Sequence, residues 1–96
     1  MKKEKLFKKA WKNIDKNFDW NKVHKTMKAL NWTWRFSPTT PSIKELKYTA
    51  KDLVEHACTT EHGYAATGGF YARRHKKHMS LGFTVDVWDY EPQEKY

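Results

Sequence analysis

The chain has 96 residues, with 19 Lys and Arg against 11 Asp and Glu, five each of Trp, Tyr and Phe, and one cysteine. That length suits one hydrophobic core, and rings that bury about 150–250 Å² each can build most of it. A lone cysteine excludes an internal disulfide, no apolar run approaches a membrane span, and no signal-peptide core follows the basic start, so a soluble cytoplasmic protein is expected.

Residues 4 to 18 form the first predicted helix. At 100° per residue, Leu6, Phe7, Ala10, Trp11, Ile14 and Phe18 share one face, while Lys5, Lys8, Lys9, Lys12 and Lys16 make a stripe opposite. Asp19 is the expected N-cap of a second helix, whose apolar stripe is Trp20, Val23, Met27 and Leu30 and whose outer side carries Lys22, Lys25 and Lys28. The first thirty residues thus hold ten lysines against Glu4, Asp15 and Asp19, whereas the rest of the chain nearly balances. A positive field localised in this way points to anionic partners.

From Asn31 to Phe36 the period changes to two, with Trp32, Trp34 and Phe36 on one side, which predicts a half-buried strand. Ser37 to Pro41 reads as a loop. Ser42 and Glu45 have capping-box spacing and open a third helix with the stripe Ile43, Leu46, Ala50, Leu53, Val54 and Ala57, ending at or just before Gly63. Tyr64 to His75 reads as one strand interrupted near Gly68-Gly69, or two short ones. Met79 to Trp88 reads as a further strand, with Leu81, Phe83, Val85 and Val87 on one face and Ser80, Thr84, Asp86 and Trp88 on the other. A loose turn around Lys76-Lys77 would pair Phe70 with Phe83 and Ala72 with Leu81, and lay Tyr71 over Gly82. The expectation is a single α+β domain over residues 1–90, in the order helix, helix, strand, helix, strand, strand. Its small antiparallel sheet of three or four strands is covered by helices on one face, and a frayed tail runs from 91 to 96.

Two basic patches are candidates for binding. The lysine stripe reads either as a solvated face or as a phosphate-binding one; its near absence of acids favours the second, and lysine as a point charge implies binding without sequence readout. The hairpin tip offers Arg73, Arg74, His75, Lys76, Lys77 and His78. There Tyr71 and Arg73 share the outer sheet face, placed to stack on a base while cations hold phosphate, and the histidines strengthen the patch below about pH 6.5. The competing reading is a charged tip that prevents edge aggregation. Thr67-Gly68-Gly69 reads as a turn or bulge rather than an anion cradle. His56, Cys58, His62, His75 and His78 read as unliganded, with no paired zinc spacing, and no metal or other cofactor is expected. Asp86, Asp89 and Glu91 read as charges at a strand exit rather than magnesium ligands, and no catalytic motif stands out, which argues against an enzyme.

Three segments together resemble a group of small bacteriophage and prophage proteins: Phe18 to Lys25 continuing through Met27 to Trp34; the helix start Pro41-Ser42-Ile43-Lys44-Glu45-Leu46; and Thr67 to Arg73 followed by Leu81 to Val85. The resemblance covers roughly residues 18 to 88 and implies a protein that acts by binding, either against host machinery or defence or on nucleic acid. The lysine-rich helix is an elaboration on that pattern.

The functional expectation is a non-enzymatic phage-type binding protein that antagonises a host antiviral system by capturing a nucleotide signal, a nucleic acid or an acidic protein face. Its expected binding residues are Tyr71, Arg73, Arg74 and Lys76, with Lys5, Lys8, Lys9, Lys12 and Lys16 as the surrounding field. The alternatives are a nonspecific nucleic-acid-binding accessory protein and a virion component. No membrane contact is expected, and an exposed ring at Trp88 or Tyr90 would equally serve contact between two copies of the chain.

Overall fold

The computed structural model describes residues 2–34, 38–76, 78–85 and 88–91. Helix α1 (Lys2–Asn17) buries Ala10 and Ile14 and lays Leu6, Phe7 and Trp11 along the edge of the core. Asp19 then caps α2 (Trp20–Ala29), accepting the Lys22 backbone N–H at 3.0 Å. The Trp20 indole donates to the Asp15 carbonyl at 3.1 Å, which folds the start of α2 back onto the end of α1. Trp20, Val23 and Met27 are buried, but Leu30 is 56% exposed and serves as the C-cap, so the apolar stripe closes one residue short of the expected one.

The strand expected at 31–36 is absent over its described part. Asn31 takes the left-handed conformation (φ 53°), and the Trp32 N–H donates to the Met27 carbonyl at 2.8 Å, which ends α2. Residues 32–34 join no ladder. Instead the Trp32 ring packs 5.4 Å from the Phe83 ring, and the Trp34 indole donates to the Gly68 carbonyl at 3.1 Å. The period of two reports two rings covering one hairpin turn rather than two ladder positions. Arg35, Phe36 and Ser37 lie outside the described residues.

Helix α3 (Ile43–Thr59) begins with the expected reciprocal cap: Glu45 N donates to Ser42 Oγ at 3.2 Å, and Ser42 N to Glu45 Oε1 at 2.9 Å. Accepting the Ser42 N–H holds the Glu45 carboxyl below its ordinary range. Leu46, Ala50, Leu53, Val54, Ala57 and Cys58 are buried, and α3 touches α1, α2 and three of the four strands, so it is the element around which the others assemble.

Strands β1 (Tyr64–Thr67), β2 (Phe70–Arg74), β3 (Met79–Phe83) and β4 (Trp88–Tyr90) form an antiparallel sheet in sequence order. Gly68 and Gly69 both have positive φ (61° and 95°), the requirement of a two-residue hairpin turn, so the interruption separates two strands. The expected pairing of Phe70 with Phe83, Tyr71 with Gly82 and Ala72 with Leu81 is the one observed. The single strand expected from Met79 to Trp88 is instead a hairpin. The Thr84 N–H and hydroxyl both donate to the Gly69 carbonyl, at 2.8 and 3.0 Å, and the chain turns there to bring Trp88 opposite Phe83. Val85 packs against the edge of the core; Asp86 and Val87 lie outside the described residues.

The helices cover one face of the sheet. There Phe70 and Phe83 meet edge-on at 5.2 Å, and Phe18 and Trp20 each reach Phe70 at 6.2 Å. The α+β class with a helix-covered antiparallel sheet is thus as expected, with all three helices preceding all four strands. Among the described residues no helix is long and apolar enough to cross a membrane.

Candidate functional site

The lysine stripe lies where its spacing puts it: Lys5, Lys8, Lys9, Lys12 and Lys16 are exposed on α1, and Lys22, Lys25 and Lys28 are exposed on α2. The acids of the same segment are largely drawn off this face. Asp15 lies 3.2 Å from Lys47 of α3, and Asp19 is occupied as the α2 cap. Glu4 remains, 3.7 Å from Lys8 in an exposed pair of a kind that contributes little. Lysine-to-lysine span along α1, from Lys5 to Lys16, is about 16 Å at 1.5 Å per residue.

The residues expected at the hairpin tip divide among three tasks. Arg74 belongs to the helix end: its guanidinium donates to the carbonyls of Cys58 and Thr60, each at 2.9 Å, and of Glu61 at 3.1 Å. It packs over Gly63, where an added Cβ would stand 3.0 Å from Arg74 Cβ. This cation satisfies orphan carbonyls at the C-terminus of α3 and is held away from an outside ligand.

Tyr71 lies on the outer sheet face as expected, but not as a loose stacking platform. Its ring covers Gly82 and its hydroxyl donates to the Asp89 carboxylate. Burial first, and then the hydrogen bond to Asp89, push its phenol up to about 12. Asp89, read from sequence as a strand-exit charge, is therefore the anchor of this ring, and Asp86 lies outside the described residues.

Arg73 is exposed on the same face, opposite Tyr64 across the β1–β2 ladder. Together with Tyr71, His75, Ser80 and Asp89 they line an open depression of about 460 Å³. Lys76 is exposed at the tip, and Lys77 is outside the described residues.

His75 and His78 form the third group. Their rings stack at 4.3 Å and 14°, held by the His75 N–H donating to the His78 carbonyl at 2.8 Å. Both face the Glu91 carboxylate, His78 Nε2 at 3.3 Å and His75 Nε2 at 4.0 Å, and His75 Nε2 is also 3.0 Å from the Ser80 hydroxyl. Burial, and then the neighbouring His78, lower the His75 pKa, so this residue becomes charged at lower pH than a free histidine. The contribution of His75 to the strengthening expected below about pH 6.5 is correspondingly displaced to more acid conditions.

The two patches anticipated from sequence do not merge. The lysines belong to the helical layer, and Tyr71 and Arg73 to the sheet face that the helices leave open. Sequence reasoning missed the partners Tyr64, Asp89 and Glu91. The signal for Asp89 was Gly82 itself, a strand glycine that leaves room for an overlying ring. Cys58 is buried, and burial pushes its thiol up to about 11, which removes it as a nucleophile at neutral pH. No protein-family model matches this chain, and comparison with curated proteins and with solved structures finds no similar one.

Proposed function

We propose that this chain is a non-enzymatic binding protein of phage type that antagonises a host system, and that it captures the phosphate backbone of nucleic acid on the lysine face of α1 and α2. The observation that carries the reading is the separation of charge: eight exposed lysines on two consecutive helices, with Asp15 and Asp19 turned to Lys47 and to the α2 cap. Duplex DNA presents about one charge per 1.7 Å, so the length of α1 from Lys5 to Lys16 spans roughly ten phosphates, more than enough for every lysine of the stripe. Such contacts would be blind to sequence, because lysine reaches phosphate as a point charge. The resemblance to small phage proteins supports the setting in which occupying nucleic acid would serve against the host.

Titration of the protein with unrelated single- and double-stranded oligonucleotides, read by tryptophan fluorescence, tests this. Five to eight neutralised phosphates give a log–log salt slope of about −4.5 to −7 on duplex, and roughly 500- to 16,000-fold weaker binding at 200 than at 50 mM salt. Reversing Lys8 and Lys12 to Glu should lower affinity equally for all sequences and flatten the slope. Absence of binding even at the lower salt would refute the nucleic-acid reading. A nuclease-resistant one-to-one complex with an acidic host protein would then identify the face as a protein-binding one.

A further inference from the structure

The geometry points to a binding site for one divalent transition-metal ion of the zinc type, formed by His75 and His78 at the β2–β3 connection and Glu91 just after β4. It stands apart from the lysine face and does not depend on it.

A tetrahedral ion with ligand distances of about 2.0–2.2 Å places its ligand atoms roughly 3.3–3.5 Å from one another. His78 Nε2 and Glu91 Oε1 are already 3.3 Å apart, and His75 Nε2 is 4.0 Å from the same oxygen. All three ligand atoms fall within 4.8 Å of one another, and closure on an ion turns the stacked His75 and His78 rings about their side-chain torsions until both lone pairs meet it. The backbone prepares this. The bond from the His75 N–H to the His78 carbonyl closes the connection, and the sheet fixes β4, whose last residue Tyr90 pairs with Leu81, beside it.

The donor set suits the chemistry. Imidazole and carboxylate together favour zinc and its neighbours over magnesium or calcium. A metal needs neutral imidazole, which is the majority form of an ordinary histidine at neutral pH. Two features oppose binding. The Ser80 hydroxyl must release His75 Nε2, and the Arg73 cation acts on the same ring; the Glu91 charge counters the latter. Three protein ligands leave a fourth position for water or an anionic oxygen, as in zinc sites that are not purely structural. His75 and Glu91 also line the outer sheet depression, so that position borders the open face with Arg73.

Zinc chloride titrated into tag-free protein near neutral pH tests the site, with calorimetry for stoichiometry and imidazole nitrogen–proton spectra for the ligands. The expected result is one ion per chain, with the His75 and His78 signals moving ahead of those of His24, His56 and His62. Glu91→Gln and His78→Ala should each weaken binding by more than about 100-fold, beyond the 10–100-fold typical of groups that only support a ligand. Replacing His56 and His62 by Ala should change nothing. Absence of binding at one equivalent, shifts led by the other histidines, or undiminished affinity in both ligand variants would overturn the assignment. So would a cluster that responds to pH but not to zinc. Should a histidine variant fail to fold, the spectra of the unaltered chain still decide.

Discussion

Gly82 lies in the middle of β3, paired with Tyr71 on one side and Asp89 on the other. Its φ is not positive, so the backbone itself would accept an L-residue. On a strand with open space, Gly→Ala gains about 0.4–1 kcal/mol by restricting the unfolded chain. Here a Cβ would collide with the Tyr71 ring and hydroxyl and with Asp89 Oδ1, so the ring has to leave its seat. Overpacking of that kind costs about 1–3 kcal/mol, and the lost Tyr71–Asp89 hydrogen bond about 1 kcal/mol more. Set against the gain, Gly82→Ala should destabilise by roughly 1–3 kcal/mol and lower Tm by about 4–24 °C, since a domain of this size moves ~4–8 °C per kcal/mol. Urea and thermal unfolding followed by circular dichroism measure both. The stringent form is a cycle in the background Tyr71→Ala with Asp89→Ala, where the same substitution should become neutral or stabilising by up to about 1 kcal/mol. An equal penalty in both backgrounds would place the cost in the backbone and refute the seating of Tyr71 on Gly82.

Arg74→Ala should destabilise by about 2–4 kcal/mol, because it strands three carbonyls at the end of α3, and Arg74→Lys should recover less than half; the urea midpoint reads both. Stability should also fall as pH rises from about 10 to about 12. The unfolded chain ionises Tyr71 near its ordinary value while the folded one keeps the proton until about 12, so the contribution is complete below the window and lost across it. Tyr71→Phe should flatten that decline, measured by urea unfolding across the range. The Cys58 thiol, pushed up to about 11 inside the core, should resist maleimide in the native protein and react at a rate set by unfolding; fast labelling without denaturant would show that the α3–β2 contact opens.

Much of the architecture follows from local rules that act independently of context. The Asp19 cap, the Ser42–Glu45 capping box and the Phe70–Phe83 register each depend on a few side chains at fixed spacing, and each is where the sequence puts it. Errors arise where one pattern has two physical causes. Trp32 and Trp34 alternate because they cover Gly68-Gly69, and alternation through Thr84 continues across a chain reversal fixed by the Gly69 carbonyl. Both signals lie in a partner some fifteen or more residues away, which a window along the chain cannot contain. The same blindness affected the candidate site. Lysines on a helix face need only the helix, so the stripe was readable. The task of Arg74 depended on where α3 ends in space, and the meeting of His75, His78 and Glu91 depended on β4, of which the sequence showed only Trp88, as the end of a longer strand.

The sequential order of the sheet bears on how the chain folds. Each strand pairs with its neighbour in sequence, and α3 leads directly into β1 through a short turn at Gly63, so residues 43–91 can assemble through closures of modest length. The N-terminal helices are different, because Phe18 and Trp20 reach Phe70 across half the chain. That loop carries the larger entropic penalty, and α1 and α2 should dock last and be first to open. The lysine-bearing layer thus belongs to the least protected part of the molecule. Mutual repulsion among its cations adds to that tendency, and a bound polyanion would relieve the repulsion while holding the layer down, so that on the proposed function capture and completion of the fold would be one event.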